Sequence, residues 1–464
     1  MLQAVAQTGT CHLRSCHPRP TAACACRAAA HRPRLGDTPM RRSIFSATAV
    51  ALGAALALTA CSSGDSGSGD KPSTPSAAAT TDAPKLTGTL TIWTDETRID
   101  VFKKLGQEYQ QQSGVKVSVV QKASADIRAD FVKQEPTGQG PDIIIGAHDW
   151  TGQLVTNGTV QPIELGDKAS EFSPVTVSAF TYDGQVYGVP YAIENIALVR
   201  NNKLADSTPD SLDALIAQGK QIEAKDSKVK YPFVVQQGKD GDPYHLYPLQ
   251  TSFGAPVFKQ NDDGSYTDTI AMGGDNGHKF AEYLAKLGKA GVLDTAIDSQ
   301  KATDAFSKGQ TPYIITGPWN TPAFKKAGLD ITVLPVPSAG GEKSNPFVGV
   351  QGAFISAKAQ NPIVANDFVT NFLGSEAVQT ELYTAGQRMP ALTAAADKVD
   401  DPIIKGFTAA AGTTPMPSIP AMDSVWAFWG TTEAQIISGS AKNPDSAWDT
   451  MIKNIQAAID KSKG

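Results

Sequence analysis

The sequence predicts an α/β protein. Strand and helix patterns alternate as β-α-β-α-β within about sixty residues, which is typical of a largely parallel sheet. The third of these strands is a short apolar run of the fully buried kind. The chain has 464 residues, of which 41% are hydrophobic, so it can bury the cores of two or three domains.

The elements of this alternation follow one another closely. Residues 89–93 alternate apolar and polar side chains, as a strand does. Apolar residues over 99–109 recur at helical spacing, and Ser113-Gly114 ends that helix. Three further elements are predicted: a β-branched strand at 115–120, a helix at 125–132 and the buried strand at 141–146.

Polar and aromatic residues follow the first and third strands. Ligands of α/β sheets bind beyond the carboxyl ends of strands, so these residues are the first candidates for a site. They are Asp95, Glu96 and Arg98 after the first strand, and His148, Asp149 and Trp150 after the third.

The alternation continues through the rest of the chain, and no internal repeat is evident. Five helices are predicted at 211–222, 276–289, 302–308, 363–372 and 446–459, two strands at 313–316 and 331–334, and a hairpin turn at 262–265.

The N-terminal region predicts export and lipid anchoring. Residues 40–60 begin with Met40-Arg41-Arg42, continue with a short apolar run and end before Cys61, in the order of a secretory signal peptide. Leu58-Thr59-Ala60-Cys61 resembles a bacterial lipobox, which implies that Cys61 is acylated. Residues 1–39 fit no part of a signal, so we expect translation to begin at Met40. Whether Arg41-Arg42 marks twin-arginine export stays open.

Composition separates a tether from the body of the protein. Residues 61–85 are rich in Ser, Gly, Thr, Pro and Ala and predict a flexible linker. All five Cys lie at or before position 61, so a disulfide framework or a Cys-zinc site in the body is excluded. A net charge of −5 gives no support for nucleic-acid binding.

Motifs of common enzyme classes are absent. The chain has no P-loop, HExxH, GxSxG or GxGxxG pattern, and its isolated His residues predict no metal site or cofactor. The number of acidic residues leaves a glycosidase carboxylate pair open as an alternative.

Aromatic residues in polar or turn contexts are the remaining candidates. Flat aromatic faces stack on pyranose rings, while Asp, Glu and Arg bond the hydroxyls at the ring edge. We assign Trp93, Trp429 and Trp448 to the core and His148 to a structural role. The candidates for a sugar site are Trp150, Tyr244, Tyr247, Trp319 and Trp426.

Seven stretches of the body resemble extracellular solute-binding proteins of sugar ABC transporters, and among them the maltose/maltodextrin-binding proteins. They lie in the family's order and cover nearly the whole chain from Leu90. The stretches are 140–149, 187–194, 242–244, 317–319, 332–335, 346–350 and 416–420.

This resemblance implies a two-lobed, type II periplasmic-binding-protein-like fold with the sugar in the cleft. Crossing hinge strands would join the lobes at 193–197, at 331–336 and near Asp400. The first lobe would then comprise 86–192 and 337–399, and the second 193–336 and 400–464. The implied protein is a monomeric, non-enzymatic receptor on the extracellular face of the membrane. It would deliver maltose or maltodextrin to the permease subunits of an ABC importer.

The resemblance also implies roles for individual residues. Asp149 and Glu194 match carboxylates that bind sugar hydroxyls, and Asp242 lies where the family often has Glu. Arg98, beside Glu96, falls near a sugar-binding Lys. Further matches are the stacking residues Tyr244, Trp319 and Trp426, Tyr247 at a position that can hold Trp, and Met416 at the far end of the cleft.

The chain departs from the family pattern at the site. Gly146 replaces a stacking Trp, Trp150 occupies an Arg position, and Gly430 replaces a second Arg. We therefore expect Trp150 to take over the lost stacking. Two alternatives stay open: the same receptor with trehalose, cyclodextrin or another oligosaccharide as cargo, and a secreted glycoside hydrolase.

Overall fold

The computed structural model describes residues 86–261 and 264–462. The predicted extension (1–39), signal (40–60) and tether (61–85), with Cys61, lie outside these residues, as do Asp262 and Asp263 of the predicted turn. The described strands are β1 (Thr89–Thr94), β2 (Lys116–Gln121), β3 (Ile143–Ala147), β4 (Thr181–Tyr182), β5 (Gln185–Val186), β6 (Gly188–Glu194), β7 (Ala197–Asn201), β8 (Val234–Val235), β9 (Phe258–Gln260), β10 (Tyr266–Ile270), β11 (Tyr313–Thr316), β12 (Ile331–Leu334), β13 (Gly349–Ile355) and β14 (Met389–Pro390).

The helices confirm the predicted alternation, with boundaries shifted by a few residues. They are α1 (Ile99–Ser113), α2 (Ile127–Gln134), α3 (Thr151–Thr156), α4 (Pro174–Ala179), α5 (Leu212–Lys225), α6 (Pro243–Thr251), α7 (Gly274–Lys289), α8 (Ser299–Ser307), α9 (Thr321–Lys326), α10 (Pro362–Asp367), α11 (Glu376–Gly386), α12 (Thr393–Ala396), α13 (Pro402–Ala410), α14 (Asp423–Ile437) and α15 (Pro444–Ser462).

One predicted helix has a different form. The sequence predicts a single helix over 363–372, but α10 gives way to π-helical turns at Phe368–Leu373. In this arrangement the rings of Phe368 and Phe372 both contact Tyr109, with centroids 5.1 and 5.2 Å away.

A six-stranded sheet organises the first lobe, in the order β14-β6-β13-β3-β1-β2. β1 pairs in parallel with β2 and β3, whereas β13 runs antiparallel to β3 and β6. Because side chains alternate along a strand, Ile143 and Ile145 face one core and Ile144 faces the other. Both faces of the sheet are therefore covered.

A four-stranded sheet organises the second lobe, in the order β12-β7-β11-β8. Ile314 and Ile315 on β11 face opposite cores. The C-terminal helices α14 and α15 belong to this lobe, because Trp429 and Trp448 are fully buried in the core that also contains Ile315. The assignment of both Trp residues to the core is confirmed.

The chain passes between the two sheets three times within the described residues. β6 ends at Glu194 and β7 begins at Ala197 in the other sheet. The chain returns between β12 and β13, and it leaves the first lobe again between α12 and α13, where Phe407 packs in the second lobe. The predicted boundary at 192/193 falls two residues before the end of β6. The carboxyl ends of β1, β3 and β11 open between the lobes.

Candidate functional site

A cavity of about 890 Å³ lies between the two lobes. We call it the interlobe cavity. Many of the residues that line it lie at or just after the ends of strands, as expected for α/β sheets. The first lobe contributes Asp95, Glu96, Thr97, Arg98, Ala123, Ser124, Ala125, Gly146, Ala147, Trp150, Glu194, Gln351 and Arg388, and the second lobe contributes Gln236, Asp242, His245, Ser299, Gln300, Thr303, Trp319, Asn320 and Ala323.

Glu194 is the centre of a buried polar group on the first-lobe side of the cavity. Its Oε2 accepts a hydrogen bond from Nε of Arg388 at 2.5 Å, and its Oε1 accepts one from Nε2 of Gln351 at 2.7 Å. Arg388 and Glu194 are both buried. Charge-assisted hydrogen bonds of this kind are strong and fix the geometry of both partners.

Arg98 and Asp95 form a second buried ion pair at the same wall. Burial alone would lower the pKa of Arg98, but Asp95, Tyr191 and Glu194 together outweigh that effect and the pKa is raised. Burial would likewise raise the pKa of Asp95, yet Arg98 and the hydrogen bonds from Thr97 lower it. Both groups are therefore charged at neutral pH. Glu96 beside them is exposed, and its Oε2 accepts a hydrogen bond from the backbone N–H of Ser124 at 3.2 Å.

Asp242 organises the second-lobe wall. It is the N-cap of α6. Its Oδ1 accepts a hydrogen bond from the backbone N–H of His245 at 3.1 Å and lies 2.9 Å from Nδ1 of the same residue. Its Oδ2 accepts a hydrogen bond from Nε2 of Gln236 at 2.6 Å. A carboxylate offers about four lone pairs, so Asp242 still has acceptor capacity for a ligand.

Two tryptophan rings pack against the backbone of glycine residues near the ends of β3 and β11, one in each lobe. Trp150 is in the 3₁₀ turn after β3, and Trp319 is in the 3₁₀ turn after β11. A Cβ atom on Gly146 would lie 1.9 Å from the Trp150 ring, and one on Gly317 would lie 2.0 Å from the Trp319 ring. Only glycine leaves room for these rings. The Trp150 ring thus fills the space above Gly146.

Five of the predicted site residues do not line the cavity. Asp149 is buried, and its Oδ2 accepts a hydrogen bond from Nε1 of Trp426 at 3.2 Å. The hydroxyl oxygen of Tyr244 is buried and has no hydrogen-bond partner in the described part of the chain. Burial and the nearby carboxylate of Glu194 raise its pKa well above the usual value.

Tyr247 and Met416 differ most from expectation, because both are core side chains. The ring of Tyr247 stacks on Phe347 with centroids 3.6 Å apart, so one face of the ring is covered. Met416 is buried in the same core, and its carbonyl oxygen accepts a hydrogen bond from Nε2 of His148 at 3.0 Å. Neither side chain reaches the cavity.

A sequence model of bacterial extracellular solute-binding proteins matches residues 104–411. The chain belongs to this family. Its two-lobed α/β architecture is the type II fold of these binding proteins, as a structural match makes clear. A maltotriose-binding protein of Thermus thermophilus, solved with maltotriose bound, superposes with a TM-score of 0.73 at 28% identity, covering 80% of this chain and 100% of that one.

Two characterised relatives are similar over most of their length. A galactooligosaccharide-binding protein of Bacillus subtilis is 26% identical over 386 residues, which is 80% of this chain and 89% of the relative. A maltooligosaccharide ABC transporter solute-binding lipoprotein of Streptococcus pneumoniae is 27% identical over 354 residues, or 73% of this chain and 81% of the relative.

His148 of this solute-binding protein has the structural role predicted for it. It is fully buried, and its Nδ1 accepts a hydrogen bond from the backbone N–H of Val350 at 3.1 Å. Its Nε2–H therefore donates to the carbonyl of Met416, which fixes the neutral tautomer. Burial lowers its pKa. The imidazole thus ties the end of β3 to β13 and to the segment that leads into α14.

Sequence reasoning missed several residues of the cavity. Arg388 is the most important, since it pairs with Glu194 and also lies over the Trp319 ring. The one available signal was a charged residue directly before the apolar stretch 389–392. The other missed side chains with polar groups are Thr97, Ser124, Gln236, His245, Ser299, Gln300, Thr303, Asn320 and Gln351.

The described residues hold neither a clustered set of metal-ligating side chains nor a membrane-spanning helix. Residues 86–261 and 264–462 contain no group of three or more His, Cys, Asp or Glu side chains placed to hold a metal ion. No helix in the same ranges has the length and apolarity needed to cross a bilayer.

Proposed function

We propose that this solute-binding protein captures a malto-oligosaccharide in the interlobe cavity and delivers it to an ABC importer. Glu96, Arg98, Trp150, Glu194, Asp242 and Trp319 would contact the sugar, together with Gln351 and Arg388. Asp149, Tyr244 and Trp426 would border the site. The lobe boundaries would lie near those predicted from the sequence. Closure of the lobes by a hinge motion would exclude water from the bound sugar. We expect no covalent chemistry, and we expect a monomer.

The observation that carries this proposal is the pairing of two tryptophan faces with buried charged groups in one cavity. Trp150 and Trp319 offer flat apolar surfaces for pyranose rings, and each comes from a different lobe. Glu194, Asp242 and Arg388 supply hydrogen bonds to hydroxyls. Aromatic faces beside hydrogen-bonding groups suit neutral, hydroxyl-rich ligands. This agrees with the maltotriose and maltooligosaccharides named for similar proteins.

We further propose that Cys61 carries the lipid anchor and that residues 62–85 hold the body off the extracellular face of the membrane. A relative of this chain is named a lipoprotein, which supports this arrangement. Two or more acyl chains would give a firm hold where a single chain binds only reversibly.

The test is a titration of the purified protein with maltose, maltotriose, trehalose, β-cyclodextrin and glucose, followed by tryptophan fluorescence and calorimetry. Saturable binding of maltodextrins without release of reducing sugar supports the proposal. Release of reducing sugar from maltoheptaose would favour a hydrolase instead. A galactooligosaccharide belongs in the panel, because a relative that is 26% identical is named as a binding protein for that class.

A further inference from the structure

An ion pair connects the two lobes outside the interlobe cavity. Nη2 of Arg128, on α2 of the first lobe, lies 3.0 Å from Oδ1 of Asp423, the first residue of α14 in the second lobe. The two side chains are 21% and 35% exposed. Neither residue lines the cavity, so the pair joins the lobes without access to a ligand there.

The same face of α14 makes a second contact across the lobes. Asp423 and Trp426 are three residues apart on this helix, and side chains at that spacing share a face. Trp426 donates its indole N–H to Asp149 of the first lobe. The first turn of α14 therefore contacts the first lobe with a carboxylate and with an indole.

Arg128 also acts on Asp149 electrostatically. Burial raises the pKa of Asp149, and the positive charge of Arg128 is the largest influence that lowers it again. Arg128 thus faces one carboxylate in its own lobe and one in the other. Its Nη1 is buried and has no hydrogen-bond partner in the described part of the chain, so no third group within that part competes for this end of the guanidinium.

We propose that the Arg128–Asp423 ion pair is an electrostatic latch that stabilises the closed arrangement of the lobes. It makes no contact with the sugar, and it sets how long the sugar stays bound. Because Arg128 and Asp423 belong to different lobes, opening of the cleft would separate them. A contact that is lost on opening shifts the population toward the closed form, and the apparent affinity decreases when the closed fraction decreases. This inference rests on the proposed function, because it assumes a ligand in the interlobe cavity.

A double-mutant cycle with neutral isosteres tests the latch. The variants are Arg128→Gln, Asp423→Asn and the double variant, with maltotriose as the probe and stopped-flow tryptophan fluorescence as the readout. We expect each single variant to raise the dissociation rate by about three- to fivefold, the upper range for a partly exposed pair. The association rate should change less than twofold. The double variant should match Arg128→Gln, because Asp423→Asn removes nothing further once the guanidinium is gone.

Asp130→Asn is the matched control. Asp130 is on the same helix as Arg128 and pairs with Lys122 at 2.7 Å within the first lobe, with side chains 38% and 22% exposed. The control should leave the dissociation rate of maltotriose unchanged. In 1 M salt, where charges are screened beyond about 3 Å, the wild-type protein should approach the Asp423→Asn variant.

Two results would overturn the latch: dissociation rates in both single variants equal to the control, or effects that add fully in the double variant. Failure of the wild-type protein to bind maltotriose would count against the proposed function and not against the latch.

In that case small-angle X-ray scattering of the ligand-free protein tests the latch. The ligand-free radius of gyration should increase in Arg128→Gln and in Asp423→Asn but not in Asp130→Asn, and equal radii would reject the latch. Thermal unfolding midpoints confirm that each variant is folded.

Discussion

The guanidinium carbon of Arg388 lies 5.6 Å from the ring centroid of Trp319. Arg388 belongs to the first lobe and Trp319 to the second, so this cation–π contact spans the cleft. The same guanidinium bonds Glu194 through Nε. One side chain therefore fixes the position of a buried carboxylate and of an aromatic face on opposite sides of the interlobe cavity.

Arg388→Met should strongly destabilise the fold. The substitution leaves Glu194 buried without its cationic partner, and breaking a buried pair in this way costs about 3–5 kcal/mol. Urea unfolding measures the loss. The double variant Arg388→Met/Glu194→Gln should recover much of it. Lys405→Met, which removes an exposed pair with Asp400, is the control and should change little. Equal losses in the single and double variants would contradict the buried-pair explanation.

Trp319→Ala should weaken maltotriose binding by about 1–3 kcal/mol, because one sugar ring loses its stacking partner and the apolar surface buried against it. Isothermal titration calorimetry gives the affinity directly. Phe428→Ala provides the comparison, since Phe428 is an exposed aromatic residue outside the cavity. Unchanged affinity in Trp319→Ala would show that this ring does not contact the sugar.

Gly146→Ala should lower both stability and maltotriose affinity. The added Cβ would overlap the Trp150 ring at 1.9 Å, so the ring must leave its place on the cavity wall. Adding Trp150→Ala removes the clash and should restore stability without restoring affinity. Thermal unfolding and calorimetry separate the two effects. Gly273→Ala is the control, because its nearest neighbour lies 3.8 Å from the new Cβ; a similar loss there would refute the steric argument.

Glu433→Gln should stabilise the protein at neutral pH but not in acid. Glu433 is fully buried, and neither carboxyl oxygen has a hydrogen-bond partner among the described residues. Burial, followed by the charge of Asp242, raises its pKa well above the ordinary 4.5. Above that ordinary value the unfolded chain loses the proton that the folded chain keeps, which favours unfolding. Urea unfolding below pH 4.5 and at neutral pH should show the difference appearing as pH rises. A pH-independent difference would contradict this assignment.

Cys61→Ser should release the protein from membranes and leave its sugar affinity unchanged. The reason is that acylation needs the Cys61 thiol, whereas the cavity lies in the folded body. Fractionation of cells followed by immunoblotting checks the first part, and calorimetry on the released protein checks the second. Continued membrane retention would place the anchor elsewhere.

Local pattern predicted the fold well, because strand and helix periodicity is a property of neighbouring residues. The elements from β1 to β3 appear within a few residues of their predicted places. The site was harder, since its geometry depends on pairs far apart in the chain. Glu194 and Arg388 are 194 residues apart. Tyr247 has the sequence context of a site residue but is in the core, because Phe347 covers its ring.

The contact between Gly146 and Trp150 should couple these two positions in evolution. A side chain at 146 and the present ring at 150 cannot occupy the same space, so a lineage that gains an aromatic residue at one position must give up the ring at the other. Homologues of this receptor should therefore show the two positions varying together. The aromatic surface can move four residues along the chain while it stays at the same wall of the cleft.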